Sequence, residues 1–220
     1  MVEIPQITLA TPAKILLGNI ATFSVAPKLR IVLNEVSEIN FEIPAYIFDD
    51  ETQSYVQTHL YNEVVGRKLL LVENVGWFRI QDPHTSSSGV QEVKQIQAFS
   101  LECELADSNI SSWDGTFPLY NTTDPTNSVL GMIVALKPSW SIGYINPKIQ
   151  NYFRTFSINE TSLYDFLMNQ VQDLYQTAII FDTYERSINC YDIDELATSS
   201  ILSMNHDNLV KELDIYLKDS

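Results

Sequence analysis

Three histidines, two cysteines and two runs of neighbouring carboxylates are the residues of this 220-residue chain whose types suit catalysis or metal binding. His59, His84 and His206 stand far apart in sequence. A zinc or two-metal site wants ligands at short fixed spacing, such as His-x-x-x-His or Cys-x-x-Cys, so that one turn or helix face presents them together. No such spacing occurs, and no metal site is assigned. Asp49-Asp50-Glu51 and Asp192-x-Asp194-Glu195 pair acids closely. Glycoside hydrolysis needs two carboxyls across the scissile bond, one of them kept protonated by burial. Both runs read as solvated turns, which supply no such environment. The second run also lacks the glycine and the spacing of an EF-hand loop, so calcium is not assigned there. Cys103 with a distant histidine is the one conceivable thiol–imidazole pair. It falls among Phe99, Leu101 and Leu105 on the expected apolar face of a strand, where burial suppresses the thiolate. There is no Gly-x-Ser-x-Gly elbow, no phosphate-binding Walker loop and no Gly-x-Gly-x-x-Gly. The residues give no catalytic position, no cofactor and no metal.

The aromatic residues are the other reservoir of function: Trp77, Trp113 and Trp140, with eleven Tyr and ten Phe. Such side chains line sugar-binding grooves, but they more often serve as core or subunit-interface anchors. Trp113 lies in the polar stretch Ala106–Thr123, read as irregular, where its own module is least able to bury it. It is the candidate interface residue.

The formal charge is −15, from 28 acids against 13 bases. A surface of that sign repels nucleic-acid phosphates, which disfavours nucleic-acid binding while leaving DNA possible as a passing neighbour. Hydrophobic residues make up 45%, enough for real cores in one large or two modest domains. The longest apolar runs, such as Lys68–Val72, are far too short to span a bilayer as a helix. Met1-Val2-Glu3-Ile4-Pro5 has neither the basic region nor the apolar run of a secretion signal. Cys103 and Cys190 both read as small buried hydrophobes, so a disulfide framework is not expected and a reducing compartment fits.

The elements that must carry these residues change character along the chain. In the first half, period-two alternation predicts strands at Leu29–Leu33 and Ile39–Ile43 around a break at Glu35–Glu38, and at Leu69–Glu73 and Trp77–Gln81 around Asn74-Val75-Gly76. Thr52–Gly66 is expected to hold a short helix ending at Gly66. Asp82–Gly89 is expected to be an exposed, mobile loop. Val90–Leu105 alternates for sixteen residues, long enough that a bulge or bend is expected inside it. In the second half, Asp124-Pro125 predicts a helix start, with Val129, Leu130, Ile133, Val134 and Leu136 as its apolar side and an end before Pro138. Strands are predicted at Trp140–Ile145 and Tyr152–Ile158. Asn159 is expected to cap a helix whose stripe is Leu163, Phe166, Leu167, Val171 and Leu174 and which ends near Gln176. Ala178–Asp182 and Ser187–Ile193 predict a hairpin around Thr183–Arg186. The domain bounds are therefore 1–105, 106–203 and 204–220. The last is a returning segment or the start of a third piece, with Leu209, Val210, Leu213 and Leu217 at near-helical spacing.

Read in order, these pieces resemble one family. Leu33–Pro44 is similar to the early strand-turn-strand of phage tail-tip, or baseplate hub, proteins, also called tail-associated lysins or prophage endopeptidase tail proteins. The resemblance continues through Trp77-Phe78-Arg79-Ile80 and Gln97–Leu105. It is most specific in Trp140-Ser141-Ile142-Gly143-Tyr144, Arg154-Thr155-Phe156, Tyr164-Asp165-Phe166-Leu167, Ile180-Phe181-Asp182-Thr183 and Ile188–Asp192, with Asn208-Leu209-Val210-Lys211 after them, and it covers the chain from about Lys14 onward. The resemblance implies an α+β chain: an N-terminal tail-tube-like β-barrel domain of the contractile-phage-hub kind, then an α+β insert domain with two helices and several short strands. It implies a homotrimer at the tip of the tail tube, in the virion, with the distal tail protein, the tape-measure protein and the tube as partners, and with DNA passing through unbound. It implies no enzyme in this chain, since wall-cleaving activity in that family lies in a C-terminal region that would come after Ser220. The alternatives are a fragment of a peptidoglycan-degrading tail lysin and a binding module for host-surface carbohydrate.

Overall fold

The computed structural model describes residues 6–32, 34–88, 91–195 and 212–216. Strands dominate, with few helices. The chain divides into two compact units, Met1–Leu101 with Lys211–Ser220, and Glu102–Val210.

The first unit contains β1 (Ile7–Ala10), β2 (Leu16–Asn19), β3 (Val25–Val32), β4 (Glu38–Pro44), β5 (Tyr46–Asp49), β6 (Ser54–Gln57), β7 (Leu69–Val72), β8 (Gly76–Ile80), β9 (His84–Ser88) and β10 (Gln91–Ser100). The alternation in β4 buries Ile39, Phe41 and Ile43 and leaves Asn40 and Glu42 partly exposed. The same period in β10 buries Ile96 and Ala98. Val93↔Pro44 through Phe99↔Glu38 fixes their register, so both apolar sets face one core with Leu9, Leu29, Leu70, Val72, Phe78 and Ile80. The other edge of β10 takes β9 along Gln91–Gln95 and β8 along Ala98–Ser100.

Three expectations are corrected in this unit. Thr52–Gly66 holds strand β6 and a 3-10 turn at Tyr61–Glu63 in place of a helix, with Leu60 in a left-handed conformation at φ 65° where the chain reverses. The expected mobile loop at 82–89 contains β9. Its Ser and Thr side chains mislead because a strand is held through its backbone, and β10 supplies that partner. The long alternating run breaks inside its sixteen residues as expected, not at a bulge but at Ser100, where a 3-10 turn, Leu101–Asp107, takes over. Cys103 therefore sits in that turn, buried, and not on a strand face.

Lys94 occupies a core-facing position of β10 and is 9% exposed. Its ammonium donates to the Tyr61 and Val64 carbonyls at 2.6 and 3.1 Å and lies 4.2 Å from the Tyr61 ring centre. Tyr61 in turn donates to Glu92 at 2.8 Å. Burial lowers the Lys94 pKa, and Glu92 pulls it partly back. Burial and the Glu92 bond push Tyr61 up to about 12. One cation thus satisfies two carbonyls of a turn that has no ladder of its own.

The large sheet runs β16-β3-β4-β10-β8-β7-β1-β2, with β9 on β10, where β16 is Glu212–Tyr216, antiparallel to β3 from Glu212↔Val32 to Tyr216↔Lys28. Leu213 is in this strand, and Leu209, Val210 and Leu217 lie outside the described residues. Among the described residues the path is open, with β2 and β16 at its ends, so barrel closure is not observed.

The second unit contains β11 (Asn109–Pro118), β12 (Ser141–Ile145), β13 (Phe153–Ser162), β14 (Thr177–Asp182) and β15 (Ser187–Asp192), with helices α1 (Val129–Leu136), α2 (Pro147–Gln150), α3 (Leu163–Phe166) and α4 (Gln172–Tyr175). β11 pairs with β13, and a second sheet runs β12-β15-β14. Asn159 pairs with Ser112 inside β13; the helix is capped by Ser162, whose hydroxyl accepts from the Asp165 N–H at 3.0 Å. A π turn, Leu167–Val171, joins α3 to α4. Its extra residue rotates the next helical turn by about 100°, since a helix turns once in 3.6 residues. The stripe therefore slips by one: Leu163, Phe166, Leu167 and Val171 are buried as expected, but Tyr175 continues it and Leu174 is 39% exposed.

Lys94→Met keeps the length of the side chain and removes the donor. It is expected to lower unfolding stability by about 1–3 kcal/mol in urea titration. A loss within error would mean that the ammonium does not hold the Tyr61–Val64 turn.

Candidate interaction surfaces

The groups that suggested chemistry are not gathered. His59 and His84 are both exposed, the first after β6 and the second on β9, and His206 lies outside the described residues. Among the described residues no three His, Cys, Asp or Glu side chains converge as a metal site would require. Cys103 and Cys190 are both buried, and neither is in a disulfide. Burial pushes the Cys190 thiol up to about 12, against a smaller opposing effect of the Thr177 hydroxyl.

The carboxylate runs serve as turn locks. Asp49 accepts from the Thr52 hydroxyl at 2.8 Å and the Glu51 N–H at 3.0 Å, and these bonds hold it below the usual range. Asp192 corrects the expectation of a solvated turn, being 4% exposed. It meets the Lys148 ammonium at 2.8 Å and accepts from the N–H groups of Asp194 and Glu195 at 2.9 and 3.2 Å. The Lys148 bond lowers its pKa most, and burial opposes it. A general acid needs a raised carboxyl. Both of these are lowered.

Between 102 and 210 stand fourteen acids and four bases, Lys137, Lys148, Arg154 and Arg186. Arg186 meets Glu104 at 3.1 Å, and Lys148 meets Asp192. Arg154 donates to the Leu174 carbonyl at 2.6 Å and lies over the rings of Tyr152 and Tyr175. Three of the four cations are thus engaged within the unit. Its carboxylates far exceed the charge that its own cations can oppose.

In the second sheet the parallel β12–β15 register slips between Ile142 and Ile145. The Asn189 side chain mends the slip. Its oxygen accepts from the Tyr144 N–H at 2.7 Å, and its amide donates to the Ile180 carbonyl at 3.3 Å, so one side chain joins all three strands. Gly143 makes this possible, because a Cβ there would stand 2.3 Å from that oxygen. The exposed face beside it carries Tyr144, which meets Tyr191 at 5.0 Å, and Ile180. Strand alternation alone does not reveal this arrangement, although Gly143 and Asn189 both lie in the stretches that carry the resemblance.

Trp113 is on β11, a ten-residue strand, and not in an irregular linker. It is half-buried, stacked on Phe117 at 5.7 Å and edge-on to Phe166 at 5.5 Å. Gly115 stands between Trp113 and Phe117 at φ +142°, and a Cβ there would strike the Phe117 ring at 2.9 Å. A left-handed glycine therefore brings together two rings that a regular strand would hold apart. Beside them a groove of about 330 Å³ is lined by Asn109–Trp113, Met132, Ala135 and Leu136.

No family model matches the chain, and no curated protein matches its sequence. Solved structures do match. Each of three covers 84% of this chain: prophage tail protein gp18 from Listeria monocytogenes EGD-e (TM-score 0.55, 16% identity), a tail protein from Neisseria meningitidis MC58 (0.54, 8%) and the 43 kDa tail protein of prophage MuSo2 from Shewanella oneidensis (0.56, 12%). The chain spans 50%, 49% and 55% of their respective lengths. It shares the fold of that half of each.

Because Asp192 is depressed in the folded state, the unfolded chain protonates first as pH falls. The stabilisation is complete above the ordinary aspartate range and is lost as pH drops through the lowered folded value. Asp192→Asn should be less stable than the parent at pH 7. Its urea-unfolding stability should also fall less steeply between about pH 5 and pH 2.

Proposed function

We propose that this chain is a structural component of a phage or prophage tail tip, a baseplate hub that closes or extends the tail tube, docks to the distal tail protein and guides DNA exit. The observation that carries this reading is the common fold over 84% of the chain with three tail proteins from three different bacteria. The first unit is the tube-like domain, with bounds near 1–105. The second is the insert domain, near 106–203. The stretch from 204 returns to the first, as the β16–β3 pairing supports.

In the tail tip the chain works as a homotrimer around the tube axis, in the virion, with the tape-measure protein and tube as neighbours. It is not an enzyme. Its lowered carboxyls and buried thiol suit a scaffold better than acid–base or thiol chemistry. The net charge of −15 gives DNA a reason to pass without sticking, since a lumen of like sign repels phosphate. Trp113, with its groove, is the candidate subunit interface of the insert domain.

Deleting the gene from a prophage that encodes it should yield, on induction, particles with absent or blunt-ended tails in negative-stain micrographs and no plaques, both restored by the gene in trans. Normal infectious particles without the gene would overturn the assignment, and clearing of cell walls by the purified chain in a zymogram would overturn the non-enzymatic part.

A further inference from the structure

Strands β5 and β6 form a two-stranded ribbon that pairs with no other strand among the described residues. Phe48 lies opposite Tyr55 and Tyr46 opposite Gln57, so the three aromatic rings share one face. Tyr46, Phe48 and Tyr55 are 57%, 50% and 68% exposed. Ile47 and Val56, paired on the other face, are half-buried. The ribbon is therefore apolar on both sides, and its most apolar side meets water.

A free two-stranded ribbon is marginal in water. This one is held at both ends. At its base the Ala45 N–H donates to the Glu92 carbonyl and the Thr58 N–H to the Ala45 carbonyl, each at 2.8 Å. At its tip the Asp49 lock is joined by a bond from the Gln53 amide to the Asp50 carbonyl at 2.8 Å. Phe48 and Tyr55 meet edge to face at 5.4 Å. The rings are thus presented in a fixed arrangement from which the fold itself gains little burial. Rigid aromatic side chains lose little entropy on binding and are enriched among the residues that dominate protein interfaces.

Charge identifies the partner. Residues 46–57 contain Asp49, Asp50 and Glu51 and no Lys, Arg or His. Nucleic acid and anionic lipid are repelled by that tip, and the same tip of a second copy offers it no cation. We propose that the β5–β6 ribbon is a docking element that seats Tyr46, Phe48 and Tyr55 in an apolar groove rimmed by lysine or arginine on a different protein. That this protein is a neighbouring tail subunit rests on the tail-tip reading; the docking chemistry does not.

The test places the photo-crosslinker p-benzoylphenylalanine at position 55 of the full chain during prophage induction, with irradiation and then sequencing of the joined peptides. The expected product is one partner protein whose joined peptide carries apolar residues flanked by Lys or Arg. Its yield should fall about tenfold with Phe48→Asp, as loss of one interface anchor implies, and several-fold with the combined Asp50→Lys and Glu51→Lys changes. Unchanged melting by circular dichroism should accompany the second, whose side chains are exposed and outside the core. No crosslink, a crosslink only to a second copy or to lipid, or a yield indifferent to both variants would overturn the proposal. A basic-rimmed partner that is absent from tails would uphold the ribbon and overturn the tail-tip assignment.

Discussion

Ten residues, Gln91–Ser100, carry three of the strand pairings of the first unit. One edge of β10 holds β4 over seven successive pairs, and the other holds β9 and then β8. A slip of one residue along β10 would turn Ile96 and Ala98 to solvent and Gln95 and Gln97 into the core. It would also withdraw Lys94 from the turn it caps. The polar bonds on the solvent face, from Gln95 to Glu42 at 2.8 Å and from Gln97 to Glu38 at 3.3 Å, belong to the same register. Core, cap and surface therefore all depend on one alignment, and β10 leads directly into the chain's passage to the second unit at Glu102.

The second unit answers a different constraint. Its three-stranded sheet combines a parallel and an antiparallel pairing, and the parallel one is out of step. One amide side chain, Asn189, and one missing side chain, at Gly143, absorb the mismatch. Trp113 and Phe117 use Gly115 in a related way. In both places a glycine lets a neighbouring side chain occupy space that a Cβ would fill. The scarcity of glycine, 7 in 220 residues, fits its use at a few determined positions.

Where the residue pattern records burial, the fold is legible in the sequence. Ile39–Ile43, Leu69–Val72, Trp77–Ile80 and the hairpin of β14 and β15 stand where alternation indicates. The expected helix buries Val129, Leu130 and Ile133 but leaves Leu136 exposed. It begins at Val129, after a separate 3-10 turn at Pro125–Asn127, and not at Asp124-Pro125. The pattern fails where something other than burial decides. β9 is polar, and its backbone pairing with β10 places it in the sheet. Leu174 is displaced by a π turn that no period-3.6 pattern encodes. Asp192 stands among acids and suggests a solvated turn, yet a lysine 44 positions earlier in the chain pairs with it. Trp113 is the aromatic that the sequence marks as least certain to be buried by its own module, and it is half-buried there. The strand beneath it is hidden because Ser111, Ser112, Asp114 and Thr116 obscure the alternation. The β5–β6 ribbon is hidden altogether, for it is apolar on both faces and has no polar side to signal a strand.

Function depends on what these arrangements leave available. Asp49, Asp192 and Lys94 serve as locks and caps, the net charge is −15, and Tyr46, Phe48 and Tyr55 are exposed. These features suit the proposed role of a part that holds and docks. The most direct measurement is a cryo-electron microscopy reconstruction of the complete tail tip of a phage that encodes this chain. The predicted result is density at the distal end of the tail tube that accepts both units, repeated three times around the tube axis. A reconstruction in which every tip density belongs to other proteins, with no copy of this chain, would contradict it.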